Sequence, residues 1–154
     1  MCEIASEVND AWSRLVRDDS EISWIICGYK EGEKEKTLHF IKEGTGGMPD
    51  FIANLPDDDI VWGGFKVVGV DDRGNTVSRR PKFISVKYLP TSVPTMKRAR
   101  AGGHKGAIKA VMDAHIDVEI ETKDELTEDS IITKLRASGG AHAPNSYEFS
   151  NYSK

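Results

Sequence analysis

The residues of this chain best placed to do chemistry are a run of cations. Between Arg79 and Met112 stand nine Lys or Arg residues, Arg79, Arg80, Lys82, Lys87, Lys97, Arg98, Arg100, Lys105 and Lys109, with no Asp or Glu among them. Outside this stretch, 12 basic residues face 25 acidic ones. An acidic chain has therefore gathered one positive face. Clustered cations focus a positive potential and speed encounter with an acidic partner, so the chemistry on offer is recognition.

Other chemistries are poorly provided for. No nucleophile is paired with a base, so no enzyme mechanism is expected. Gly44-Thr45-Gly46-Gly47 is not followed by the Gly-Lys-Ser/Thr of a phosphate cradle. Asp57-Asp58-Asp59 lacks the alternate ligand positions and closing Glu of a calcium loop. Cys2 and Cys27 form neither a disulfide framework nor a metal pattern, and Cys27 reads as a small buried hydrophobe. No metal and no cofactor are expected. A net charge of −4 and a pI near 5.6 argue against nucleic acid, and the basic stretch lacks exposed helical aromatics for base stacking. An anionic phospholipid surface is a second acidic partner that the cations would suit. No apolar run approaches the roughly 20 residues of a membrane span. The N-terminus lacks the basic start and apolar core of a secretory signal, so a cytoplasmic chain is expected.

The elements that must position these cations can be read in order. Val8, Ala11, Trp12, Leu15 and Val16 make one helical stripe, with Ser6 or Asn9 as cap and Asp18-Asp19-Ser20 as its end. Ile22 to Tyr29 reads as a strand buried on both faces, and Thr37 to Ile41 as its hairpin partner across a turn at Gly32. His39 is expected to be a strand residue. Pro49 to Leu55 suits a short helix. Ile60 to Val70 is the longest strand, and Gly63-Gly64 predicts a bulge or bend in it. Asp71 to Asn75 is a turn, long enough to form a projecting hairpin tip. Pro81 keeps Arg79 to Lys82 extended, and Phe83 to Leu89 forms the next strand, with Lys87 facing away from apolar partners.

From Pro94, with Ser92 as cap, to Ala114 the pattern is helical. On a helical wheel Met96, Ala99, Gly103, Ala107, Ala110, Val111 and Ala114 form the packing side. Arg98, Lys105 and Lys109 fall within about 40° of one another on the outer side. Arg100 falls toward the core, and Ala101-Gly102-Gly103 predicts a bend. Ile116, Val118 and Ile120 alternate with Asp117, Glu119 and Glu121 as a strand with an acidic outer face. Thr127 starts a last helix with Ile131, Ile132 and Leu135 inward and Lys134 and Arg136 outward. Gly139-Gly140 stops it, and Ala141 to Lys154 reads as disordered.

This order resembles the actin-depolymerising-factor homology (ADF-H) superfamily, and at residue level its coactosins. The stretches that carry the resemblance are Leu15 to Asp19, Arg79 to Phe83, Lys97 to Arg100 with Gly103 to Lys105, Asp124 to Asp129 and Lys134 to Ala141. The resemblance implies an α/β (α+β) fold. It is a single ADF-H domain over residues 1–138, a central five- or six-stranded mixed sheet with helices on both faces, and a flexible tail over 139–154. It implies a monomeric, non-enzymatic side-binder of filamentous actin (F-actin) that regulates the actin cytoskeleton and depolymerises weakly or not at all. The alternative it leaves is filament remodelling through monomeric actin, or binding to anionic phospholipid. The implied contacts are Lys82, flanked by Arg79 and Arg80, then Lys97, Arg98 and Lys105 on the long helix. Arg73, Lys134 and Arg136 complete the edge. Met96 and Val93 are candidate apolar anchors.

Overall fold

The protein is described here by a computed structural model covering residues 3–17, 20–30, 36–138 and 144–150. Cys2, Asp18-Asp19, Gly32, Gly139-Gly140 and Ala141, to which the sequence assigned roles, lie outside the described residues.

In chain order the elements are β1 (Glu3–Ile4), α1 (Ser6–Val16), β2 (Trp24–Tyr29), β3 (Thr37–Gly44), α2 (Gly47–Ala53), β4 (Val61–Asp72), β5 (Val77–Tyr88), α3 (Thr95–Gly102), α4 (Lys105–Val111), β6 (Ile116–Ile120), a 3-10 turn (Lys123–Glu125), α5 (Glu128–Ser138) and β7 (Ser146–Glu148). One mixed sheet runs β1-β3-β2-β4-β5-β6, with β7 beside β4. β1 on β3 and β6 on β5 are parallel; the other pairings are antiparallel. The seven strands exceed the five or six expected, because β1 and β7 are only two and three residues long.

Period-two alternation divides the sheet into two buried faces. Trp24, Ile26, Phe65, Val67, Ile84, Val86 and Tyr88 pack beneath Met48, Phe51 and Leu55 of the α2 region and Ile131 and Leu135 of α5. Ile25, Cys27, Trp62 and Phe83 pack beneath Val8, Ala11, Trp12 and Leu15 of α1, and beneath Ala101, Ile108 and Met112. Helices therefore cover both faces.

Gly63-Gly64 makes no bulge: β4 keeps register with β2 and β5 through both residues. The reason for two glycines is close approach. A Cβ at Gly63 would lie 2.4 Å from the Ile25 carbonyl, and one at Gly64 would lie 2.6 Å from the Ile84 carbonyl and 2.7 Å from the Trp12 ring. The bulge occurs instead between Ile26 and Cys27, where β3 carries the extra residue, Ile41.

The expected caps are also displaced. Ser6 is the first residue of α1 rather than its cap, and Ala5 holds that position. Pro94 takes the cap position of α3, while the Ser92 hydroxyl donates to Asp58 at 2.9 Å. The three aspartates are stapled to neighbouring elements: Asp57 to Lys123 at 2.8 Å, Asp58 to Ser92, and Asp59 to Lys97 at 3.8 Å.

Disorder throughout the tail is contradicted. Residues 146–148 pair with Val68, Gly69 and Val70 of β4, and Phe149 is buried in the α2 and α5 core at 4% exposure. A strand this short carries no readable periodicity. What holds it is backbone pairing and one aromatic anchor.

Candidate functional site

β4 and β5 pair over their full twelve-residue lengths, from Val61↔Tyr88 to Asp72↔Val77. Their neighbours stop early. β2 pairs with β4 only as far as Phe65, and β6 pairs with β5 only from Ile84. The distal half of the hairpin therefore projects past β2 and β6, with only the short β7 beside Val68 to Val70 of β4, and its tip is the Asp71 to Asn75 turn that the sequence predicted. The Arg73 N–H donates to the Thr76 carbonyl at 3.0 Å, and Gly74 at φ 83° supplies the left-handed turn residue. Pro81 lies in this projecting half, where β5 lacks β6 and loses no ladder bond on that side.

Alternation then sorts the hairpin cations. Ser78, Arg80 and Lys82 continue the Ile84–Val86–Tyr88 face. With Gly69, Asp71, Arg73 and Pro144 they line a shallow depression of about 350 Å³. Arg136 reaches the same end from α5, with its guanidinium 5.9 Å from the Tyr147 ring centroid; Tyr147 pairs with Gly69. Lys134 is exposed on α5, about half a turn from Arg136. Arg79 lies on the opposite face and is bound to Glu148 at 2.6 Å.

The cations of the helical region distribute differently from the wheel. The buried side of α3 and α4 is Ala101 and Ile108, with Met112 just beyond, so the packing side was misassigned. Small residues stand on both sides of this stretch and leave few large apolar side chains to orient a wheel; of these Ile108 and Met112 are buried while Met96 is exposed. Arg98 lies toward the packed side: its Nη2 is 3.7 Å from Glu121, and its buried Nε lacks a hydrogen-bond partner among the described residues. Arg100, expected toward the core, is exposed. The outer side is Met96 at 71% exposure, with Ala99, Arg100, Gly103, Gly106, Ala107, Lys109 and Ala110. Val93 is buried at 4% and cannot anchor a partner. The expected long helix is broken at Gly103-His104 into α3 and α4.

The acidic edge of β6 consumes much of the remaining charge. Lys109 donates to Asp117 at 2.9 Å, and Lys87 lies 3.0 Å from Glu119. Burial pushes the Asp117 carboxyl up, but hydrogen bonds from Ser85 and Lys109 outweigh it and hold Asp117 below the usual carboxylate range. Lys87 does not face away from apolar partners, since its ammonium sits 5.2 Å from the Trp62 ring centroid and its side chain is 12% exposed. These residues and Lys105 line a cleft of about 210 Å³ between α4 and the β5–β6 face.

Of the residues named from sequence, Arg73, Arg80, Lys82 and Arg136 come together at the hairpin end. Lys97 and Arg98 turn to Asp59 and Glu121, and Arg73 also lies 3.2 Å from Asp71. Arg80, Lys82, Lys105 and Lys134 have no ion pair among the described residues. Lys82 is half-buried as well. Sequence reasoning missed Glu148 and Phe149, whose only signal is an apolar aromatic in a polar tail.

The fold and this divided positive surface define a domain class. The family described as cofilin/tropomyosin-type actin-binding protein matches residues 1–136, and the chain belongs to it. Within that family, coactosins and coactosin-like proteins are among its relatives. A coactosin-like protein of Bos taurus is 30% identical over 132 residues, covering 83% of this chain and 85% of the relative. The crystal structure of coactosin from Entamoeba histolytica superposes with a TM-score of 0.76 at 24% identity, covering 89% of this chain and 96% of that one. The solution structure of mouse coactosin, named an actin filament binding protein, gives a TM-score of 0.68 at 27% identity, covering 91% and 94% of the two chains.

Proposed function

We propose that this chain binds the side of actin filaments as a non-enzymatic regulator of the actin cytoskeleton in the cytoplasm. The observation that carries the reading is Lys82: a half-buried cation on a projecting hairpin, beside Arg80, with no ion pair among the described residues. A cation already partly desolvated and held by a strand loses little freedom when a carboxylate docks against it. Arg73 and Arg136 widen this contact. The outer side of α3 and α4, with Met96 at its start, supplies a second, less charged contact, and Lys105 lies beside it. Actin's acidic surface complements the hairpin end, and membership of an actin-binding family supports that partner. Few exposed charge pairs at about 0.2–1 kcal/mol each make the binding moderate and salt-sensitive. Strong depolymerising activity is not expected.

The test is co-sedimentation with actin filaments at low and physiological salt, wild type beside Lys82→Ala. Pelleting that falls with salt and is largely lost in the variant supports the hairpin site. Pelleting unchanged by the variant moves the site to α3 and α4. No pelleting at either salt sinks the filament reading. Acidic liposomes then test whether the same cations serve anionic phospholipid.

A further inference from the structure

The C-terminal segment 144–150 does more than close the sheet. β7 lies against the projecting half of β4 and is held independently at both ends. At one end the Asn145 N–H donates to the Val70 carbonyl at 2.8 Å, and Asn145 Oδ1 accepts from the Asp72 N–H at 2.5 Å. At the other, Phe149 is buried and its carbonyl accepts from the Met48 N–H at 3.0 Å. Between these anchors Glu148 pairs opposite Val68, while Arg79 pairs opposite Val70 from the other side of β4. The 2.6 Å Arg79–Glu148 ion pair therefore crosses β4 diagonally from β5 to β7. Val68 and Val70 belong to neither core cluster, yet each is only 8% exposed, and the ion pair lies across them. The Arg79 and Glu148 side chains are 32% and 23% exposed, so the pair is better shielded from water and salt than an open surface pair.

We propose that Glu148 is an intramolecular competitor for Arg79, through which the C-terminal strand sets how much positive charge the hairpin offers an acidic protein surface. Glu148 already holds Arg79 Nη1 at charge-assisted distance, so a partner carboxylate must compete with it for that guanidinium. Arg80 and Lys82, on the other face, escape this competition. The consequence for affinity rests on the filament-binding reading above; the masking of Arg79 does not. Because backbone bonds and Phe149 hold β7, removing the Glu148 charge leaves the strand docked. Glu148 is thus a positioning residue whose charge can be tested apart from its strand.

The experiment compares wild type, Glu148→Gln, Arg79→Ala and the double variant. Phenylglyoxal labelling of Arg79, read by peptide mass, is expected to run several-fold faster in Glu148→Gln. Filament co-sedimentation at low salt is expected to tighten by about 1.5- to 5-fold in Glu148→Gln, with no gain in the Arg79→Ala background. Equal labelling rates in wild type and Glu148→Gln overturn the masking of Arg79, whether or not filaments bind. Faster labelling with unchanged or weaker filament binding overturns the competition. A wild type that does not pellet at any salt defeats the filament reading instead, and the labelling rates alone then decide whether Glu148 masks Arg79.

Discussion

His115 and Phe83 hold each other by two hydrogen bonds. The Phe83 N–H donates to His115 Nδ1 at 3.0 Å, and the His115 N–H donates to the Phe83 carbonyl at 2.9 Å. The imidazole also stacks on the Phe83 ring, 5.8 Å between centroids. This clamp ties the segment entering β6 to β5 at the residue after Lys82. Nδ1 must accept, so the ring is neutral with its proton on Nε2.

A pH dependence follows. Partial burial and then the nearby Lys82 cation press the His115 imidazole below its ordinary value of 6.5, against the opposing pull of the Asp113 carboxylate. The unfolded chain then takes up a proton at a higher pH than the folded one. The contribution is complete above about pH 6.5 and is lost as pH falls through the depressed folded value. Urea midpoints measured from pH 7.5 down to 5 should fall in wild type. They should fall less in His115→Asn, which keeps an acceptor near Nδ1 without a titrating ring. Parallel slopes in the two proteins would remove His115 as the source.

The two glycine environments predict opposite signs for one substitution. In Gly63→Ala the new methyl meets the Ile25 carbonyl at 2.4 Å and the Phe51 ring at 3.2 Å, so paired strands must separate. A loss of about 1–3 kcal/mol is expected. In Gly106→Ala the methyl on α4 meets nothing within 4 Å. There a gain of up to about 1 kcal/mol is expected from helix propensity. Chemical denaturation checks both, and equal effects would contradict the packing described for β4.

How much of this was legible follows from what each signal depends on. Ile116, Val118 and Ile120 alternate because one face of β6 is buried, and alternation survives in sequence. The α1 stripe is equally plain because Trp12 and Leu15 are large. The α3–α4 stretch misleads because its buried side is marked only by Ala101, Ile108 and Met112, while alanines and glycines crowd the outer side. Charge run alone could not show that Arg98, Lys87 and Lys109 turn to Glu121, Glu119 and Asp117, since those partners come from the strand parallel to β5 and the residue just after it. The tail strand was illegible for a related reason: its pairing partner lies far back in the chain, at Val68 to Val70.

Those internal pairs separate cations that hold the fold from cations open to a partner. Lys105→Ala should weaken filament pelleting at low salt, because Lys105 has no ion pair among the described residues. Lys109→Ala should leave pelleting nearly unchanged and lower the melting temperature slightly, since Lys109 is held by Asp117 at 2.9 Å. Equal weakening by both would mean that net charge, and not the availability of a particular side chain, governs binding.

Met96 offers the sharpest test of the second contact. It stands 71% exposed near the start of α3, where a large flexible thioether gains nothing from the fold. An exposed apolar side chain beside Lys97 and Arg100 can fill a small recess on a partner and exclude water from the charges around it. Met96→Ala should therefore leave the unfolding midpoint unchanged and weaken filament binding by about 3- to 10-fold, a typical cost for truncating a central apolar anchor. The loss should persist at physiological salt, where the Lys82→Ala effect shrinks, because apolar contact is not screened. If instead Met96→Ala binds filaments like wild type at both salts, the α3 side is not in the interface. The hairpin end then carries the contact by itself.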